Sequence, residues 1–291
     1  MSEVSVTARV SHRGRTWKPI QPAVPDRNRA TASGSSKPGR TKALTSDCGD
    51  GVARQMAFAG IPLASLRHVF ITHQHSDHTA DYGNLIWLAW TAGLNSRVDT
   101  WGPPPLDRMT SLFFEMNRAD FDTRIANEGR VPLIPLVRVH ELQNSGVVMN
   151  DGRMKVTATL VDHPPVVPAF AYRFDAPDRS IVISGDTAPS KNLVALAAGA
   201  DVLVHSVMYP PAIDRLVARV PNAAAPQSEH SGAPDVSGRC RPRRAGRRRH
   251  DAGPVALRAS RRPERDNAMW LEAAQRHFKG PVIAGKDLLE I

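Results

Sequence analysis

Between Asp47 and about Val220, apolar residues recur in short blocks divided by Gly, Pro and Asp, the pattern of a chain that alternates strands with helices. Asp47, Cys48, Gly49, Asp50 and Gly51 form a tight turn. Residues 52–59 are amphipathic and stop at Gly60, before Ile61 and Pro62. His68, Val69, Phe70 and Ile71 then read as a buried strand, residues 84–92 as a buried helix ending at Gly93, and residues 106–127 as a polar helical stretch. Strand-like runs follow at 131–139, 154–161, 180–184 and 201–204. Three of these deliver reactive side chains: Asp162 and His163 after the first 150s strand, Gly185 and Asp186 after the next, and His205 after the last. Strand ends are where α/β sheets collect functional groups, so the pattern predicts an α/β fold with its chemistry at those turns.

The densest chemistry follows residues 68–71, where His73, Gln74, His75, Ser76, Asp77 and His78 are spaced as HxHxDH. Alternate side chains of an extended segment point the same way, so His73 and His75 can grip one ion. Asp77 and His78, at the following turn, can serve a second beside it. Neutral imidazole suits zinc, and a carboxylate among the ligands leaves a water position that a purely structural cysteine site closes. That is the chemistry of a hydrolase. Taken singly, the later residues also fit plainer roles. His163 suits a strand-end histidine packed by Pro164 and Pro165, and Asp186 a turn residue or helix cap. A lone histidine on an apolar strand, as at His140 or His205, is more often a hydrogen-bonded core residue than a ligand.

HxHxDH, a spaced His after a strand, and Gly185, Asp186, Thr187 together resemble the metallo-β-lactamase superfamily, most closely its ribonuclease Z-like branch, which also contains arylsulfatase-like proteins. The resemblance covers residues 47–230 and 267–291, with blocks THQHSDHTADYGNL, RIANEG, HPPVVPAFAYRF, VISGDTAPS and DVLVHSVMY. It implies a single domain with a four-layer αββα fold, two mixed sheets sandwiched between helices. It implies two Zn2+ ions per chain, the first on His73, His75 and His163, the second on Asp77 and His78, with Asp186 bridging. Catalytic parts are implied for Asp77, which orients the nucleophile, and for His205, although Ser206 stands where the family usually has Glu. Two adjacent ions acidify a shared water towards neutrality, for attack on phosphorus, sulfur or carbonyl carbon. The implied substrate is a phosphodiester, in RNA or a small molecule, with an aryl sulfate or other small ester as the alternative. Many relatives are homodimers.

Composition adds limits. The chain of 291 residues is long enough for one large domain, and no apolar run approaches a membrane span. The first ten residues have no basic start followed by an apolar block, so a cytoplasmic protein is expected. Cys48 and Cys240 are too few for a disulfide framework or a cysteine metal site. A net charge of +10 and a pI near 10.3 invite a nucleic-acid partner. The basicity is concentrated, however: residues 7–46 carry a net +8 and residues 231–266 a net +7, so the remainder is acidic. The Arg-rich residues 239–249 keep open a second class, a nucleic-acid-binding protein with a degenerate enzyme core. Ribonuclease Z proteins that process transfer RNA commonly carry a Gly- and Pro-rich basic arm, and nothing of that kind stands between His78 and Asp186.

The two basic segments depart from the family. Its pattern includes an HxT motif and a seventh ligand, a His ending a late strand, and neither appears. Residues 231–266 have no periodicity and few large apolar side chains. Read one base later with suitable synonymous codons, residues 231–236 can give PAHQTS and residues 251–259 can give MLVLSHFVP. Residues 231–266 are therefore expected to be out of frame, with the frame returning at Asn267. The lost ligand then lies at the codon of Ala256, and the HxT histidine at that of Ala233. The same shift in residues 7–46 can restore a first strand, its glycine turn and a second strand, and disordered basic segments are the alternative. As written, the second ion lacks its fourth protein group, with only His230 or His250 as substitutes, so weakened binding and little activity are expected.

Overall fold

The computed structural model describes residues 42–207 without a break, the strands at 6–10 and 255–258, and parts of 271–289. Two compact units are distinguished. The first comprises Met1–Ile71, His75–Glu141 and Asp287–Ile291, the second Thr72–Gln74 and Leu142–Lys286.

The first unit is built on a five-stranded sheet in the order β1 (Val6–Val10), β2 (Lys42–Ser46), β3 (Leu66–Phe70), β4 (Val98–Gly102) and β5 (Val137–Glu141). β1 runs antiparallel to β2, and all the other neighbours are parallel. Parallel neighbours need long crossovers rather than hairpins. Helices supply them: α1 (Val52–Phe58), α2 (Ser76–Thr79), α3 (Tyr82–Thr91), α4 (Leu106–Met116) and α5 (Arg118–Glu128). Val69 and Ile71 pack with Met56 of α1, Leu85, Ile86 and Trp90 of α3, and Phe121 of α5 in one apolar core.

Two expected elements differ in detail. The helical stretch 106–127 is two helices, divided at Asn117. The Asn117 side chain donates to the Phe113 carbonyl at 2.8 Å, while its own carbonyl accepts from the amides of Asp120 and Phe121. One residue thus closes the first helix and opens the second. The run 131–139 becomes strand only from Val137, after a 3-10 turn at Ile134–Leu136. β4 was not expected, because Asp99 and Thr100 interrupt its apolar pattern. Both are buried with partners: Arg97 and His140 bond the Asp99 carboxylate, and Tyr82 donates to Thr100.

The second unit holds a seven-stranded sheet, ordered β12-β11-β10-β9-β8-β7-β6. Its strands are β6 (Gly146–Asn150), β7 (Lys155–Val161), β8 (Ala169–Asp175), β9 (Ser180–Ile183), β10 (Val202–Ser206), β11 (Val255–Arg258) and β12 (Val282–Gly285). β6 to β9 form an antiparallel meander, and β9 to β12 are parallel. Between β9 and β10 lies α6 (Lys191–Leu196), whose start is capped by the Ser190 hydroxyl accepting from the Leu193 amide. β8 shows little alternation because it is buried on both faces over most of its length. β1 and β2 draw on residues 6–10 and 42–46, and β11 falls within 231–266, so short pieces of both basic segments join the sheets. His230, Ala233, His250, Asn267 and residues 239–249 lie outside the described residues.

Candidate metal centre

The HxHxDH run passes from one unit to the other: His73 belongs to the second, and His75, Asp77 and His78 to the first. Each half is held differently.

In the first unit, β2 is followed by Asp47, which is buried and adopts the left-handed conformation at φ 61°. For a residue with a Cβ that conformation costs about 1–2 kcal/mol, and Asp is among those that tolerate it. Backbone bonds hold it there. Its amide donates to the Phe70 carbonyl at 2.7 Å, and the Thr45 hydroxyl donates to its carbonyl at 3.0 Å. So placed, the Asp47 carboxylate accepts from Nδ1 of buried His78 at 2.8 Å. A carboxylate only accepts, so the proton sits on Nδ1 and the lone pair on Nε2, the orientation in which a carboxylate-backed histidine ligates metal. The same turn anchors the backbone: the Cys48 amide donates to the His78 carbonyl at 2.7 Å, and the Cys48 carbonyl accepts from Asp81 at 2.8 Å. Asp77, half-buried, lies in the first turn of α2. Burial pushes the Cys48 thiol far above its ordinary value, so it is a protonated core residue.

In the second unit, Thr72 carries His73 into the site. The Thr72 carbonyl accepts from the Phe170 amide at 2.8 Å, and its hydroxyl lies 3.0 Å from His73 Nδ1. His73 is fully buried, and its ring meets that of His163 edge-on at 4.6 Å. A ligand atom of His73 lies within 4.8 Å of one on His163 and of one on Asp186. The turns bearing these two partners are tied together, the Ala188 amide donating to the Asp162 carbonyl at 2.6 Å. Gly185 permits the approach. At φ +59° it sits so close to Thr72 that an added Cβ would stand 2.7 Å from the Thr72 Cβ. His205, half-buried at the end of β10, contacts the Ser184 hydroxyl through Nδ1 at 2.9 Å. The protein packed around it pushes its imidazole down to about 4, against the upward pull of Asp186.

His140 takes the plainer role anticipated for it: Nε2 bonds Asp99 at 2.8 Å and the ring stacks on Trp101. Sequence reading passed over Asp47, Thr72 and Ser184, which contact the histidines. For Thr72 and Ser184 the signal was position, a polar residue at or just past the end of a strand, next to or two residues before a candidate ligand; Asp47 has no candidate ligand near it in sequence.

The family described as a β-lactamase superfamily domain matches residues 44–218. The chain belongs to the metallo-β-lactamase superfamily. Solved members of this fold at low identity show the same architecture. The Bacillus subtilis protein YhfI, a metallo-β-lactamase fold protein, has a TM-score of 0.60 at 16% identity, over 99% of each chain. The short form of human tRNase Z has a TM-score of 0.52 at 19% identity, over 86% of this chain and 88% of that one. The expected α/β class, two sheets with helices, is the metallo-β-lactamase fold found. Among curated relatives, ribonuclease Z of Mycobacterium sp. (strain KMS) is 38% identical over 188 residues, 64% of this chain. Ribonuclease Z of Mycobacterium bovis (strain BCG / Pasteur 1173P2) is 33% identical over a stretch of the same length. The match spans 65% of the first relative and 66% of the second. Within this metallo-β-lactamase chain, no helix among the described residues is long and apolar enough to cross a membrane.

Proposed function

We propose that this chain is a zinc-dependent hydrolase of the ribonuclease Z type, acting on a phosphodiester of RNA. The observation that carries the reading lies in the second unit, where ligand atoms of His73 come within 4.8 Å of one on His163 and of one on Asp186, donors of the kind that hold divalent metal. The Asp47-backed His78 supports it from the other half of the run. In this reading His73, His75 and His163 would hold the first ion and Asp77 and His78 the second, with Asp186 serving as a ligand to the pair. Imidazole and carboxylate donors suit zinc. The ions, when bound, supply Lewis acidity that activates water and offsets the charge developing on the phosphoryl oxygens. Asp77 orients the attacking water, Asp47 holds the His78 ring, and His205 exchanges a proton with the reacting groups. The ribonuclease Z relatives support RNA as substrate, a cytoplasmic setting fits it, and a homodimer fits the family.

We further propose that the chain as written holds its second ion weakly. The supporting residue is Ala256, which lies on β11 in register with Val204 and Ile283, where the family's late strand would bear a His. The nucleotide sequence across codons 228–268 tests this directly, since compensating frame errors must flank residues 231–266. With the frame restored, hydrolysis of bis-p-nitrophenyl phosphate and of an RNA substrate is expected, abolished by chelator and by His73→Ala. Turnover of an aryl sulfate in preference to both would replace the phosphodiester reading with a sulfatase one. Nucleic-acid binding that survives His73→Ala without any hydrolysis would replace both.

A further inference from the structure

Ser184 closes β9 and is almost wholly buried, with 1% of its surface exposed. Among the described residues its hydroxyl has three polar neighbours: the Gly185 carbonyl at 2.6 Å, His205 Nδ1 at 2.9 Å and the Ser206 amide at 3.3 Å. A hydroxyl has one proton and two lone pairs to distribute among them. The amide of Ser206 can only donate, so it takes one lone pair. The carbonyl of Gly185 can only accept. Were the hydroxyl proton turned to His205 instead, two oxygen lone pairs would face each other at 2.6 Å. The proton therefore goes to Gly185, and the remaining lone pair receives a proton from His205.

We propose that Ser184 is a positioning residue that fixes His205 with its proton on Nδ1, so that Nε2 presents a lone pair to the site. His205 then enters the reaction as a proton acceptor, and it is Ser184, with the backbone of Ser206, that orients it. A carboxylate does this for His78 and His140. A hydroxyl does it only because its own proton is already committed. The same bond holds the carbonyl of the Gly185–Asp186 peptide, so one side chain orients both the acceptor histidine and the chain leading into Asp186. Burial keeps His205 neutral near pH 7, where the choice of tautomer is meaningful. What Nε2 acts upon rests on the hydrolase reading, whereas the tautomer itself does not.

The test is nitrogen-15 NMR of the imidazoles in the full chain near neutral pH, without added metal, with His205 assigned by its disappearance in His205→Gln. The expected spectrum shows a directly bonded proton on Nδ1 and an unprotonated Nε2. Ser184→Ala is expected to convert this into a mixture of tautomers, and Ser184→Thr to keep it. A proton on Nε2 in the unaltered chain overturns the proposal, whether or not either variant folds, as does an unchanged spectrum in folded Ser184→Ala. The two readings fail separately: an Nδ1 proton in a frame-restored chain that hydrolyses nothing removes the hydrolase and leaves Ser184 its role.

Discussion

The two units hold their histidines by different means. In the first, His78 and His140 each bond a carboxylate, Asp47 and Asp99. In the second, His73 and His205 each contact a hydroxyl, Thr72 and Ser184. A carboxylate can only accept, so it dictates the tautomer alone. A hydroxyl dictates a tautomer only when its other neighbours have used up its proton. His78 and His140 are therefore each set by a carboxylate, whereas His205 is set by a network that includes the backbone of Gly185 and Ser206.

The second unit is therefore the more easily broken by backbone changes. Gly185→Ala forces a left-handed alanine and drives its Cβ against Thr72, so a loss of about 2–4 kcal/mol is expected from conformational strain plus overpacking. Denaturant unfolding measures it, and an unchanged midpoint would show that Thr72 does not pack on Gly185 as described.

On the first unit's side the largest change is Asp47→Ala. Removing the partner of a ligating histidine typically weakens metal by about 10–100-fold. A zinc competition titration should show a loss in that range, and an affinity equal to the unaltered chain would separate Asp47 from the metal. Ser184→Ala should cost less zinc affinity than Asp47→Ala in the same titration, since His205 is not among the proposed ligands. The reverse order would undo the contrast.

The smallest effect belongs to Asp99, away from the ligands. Burial raises its pKa, but hydrogen bonds and charge from Arg97 and His140 outweigh it and hold the carboxyl below its usual range. A lowered folded value stabilises the protein above the unfolded pKa of about 3.9 and is lost as pH falls through the folded one. Acidification through that window should therefore cost the unaltered chain stability that Asp99→Asn does not lose. Because Arg97 is more than half exposed, under about 1 kcal/mol is expected. Equal acid sensitivity of the two proteins would show that the pair contributes nothing.

In both units, local patterns were legible in the sequence and partnerships between distant residues were not. The candidate ligands His73, His75, Asp77 and His78 were legible in the sequence, because HxHxDH after an apolar strand is dense local chemistry. So were β3, β7, β9 and α1, where hydrophobic runs end at Gly, Pro or Asp. β4 was not, since Asp99 and Thr100 look like loop residues until His140 and Tyr82 arrive from 41 and 18 residues away in sequence. β8 was hidden by burial on both faces, which erases the alternation that marks a strand. Asp47 read as part of a turn and Ser184 as the end of a strand. Their work depends on His78 and His205, 31 and 21 residues distant, and no local pattern encodes such a partnership.

Zinc stoichiometry tests the two-metal reading most directly, measured by elemental analysis after dialysis on the chain as written, the frame-restored chain, and His73→Ala in each. The expected result is one tightly held ion in the chain as written, two when the frame is restored, and one fewer tightly held ion in each His73→Ala variant. Two tightly held ions in the chain as written, or a zinc count that His73→Ala leaves unchanged, would contradict it.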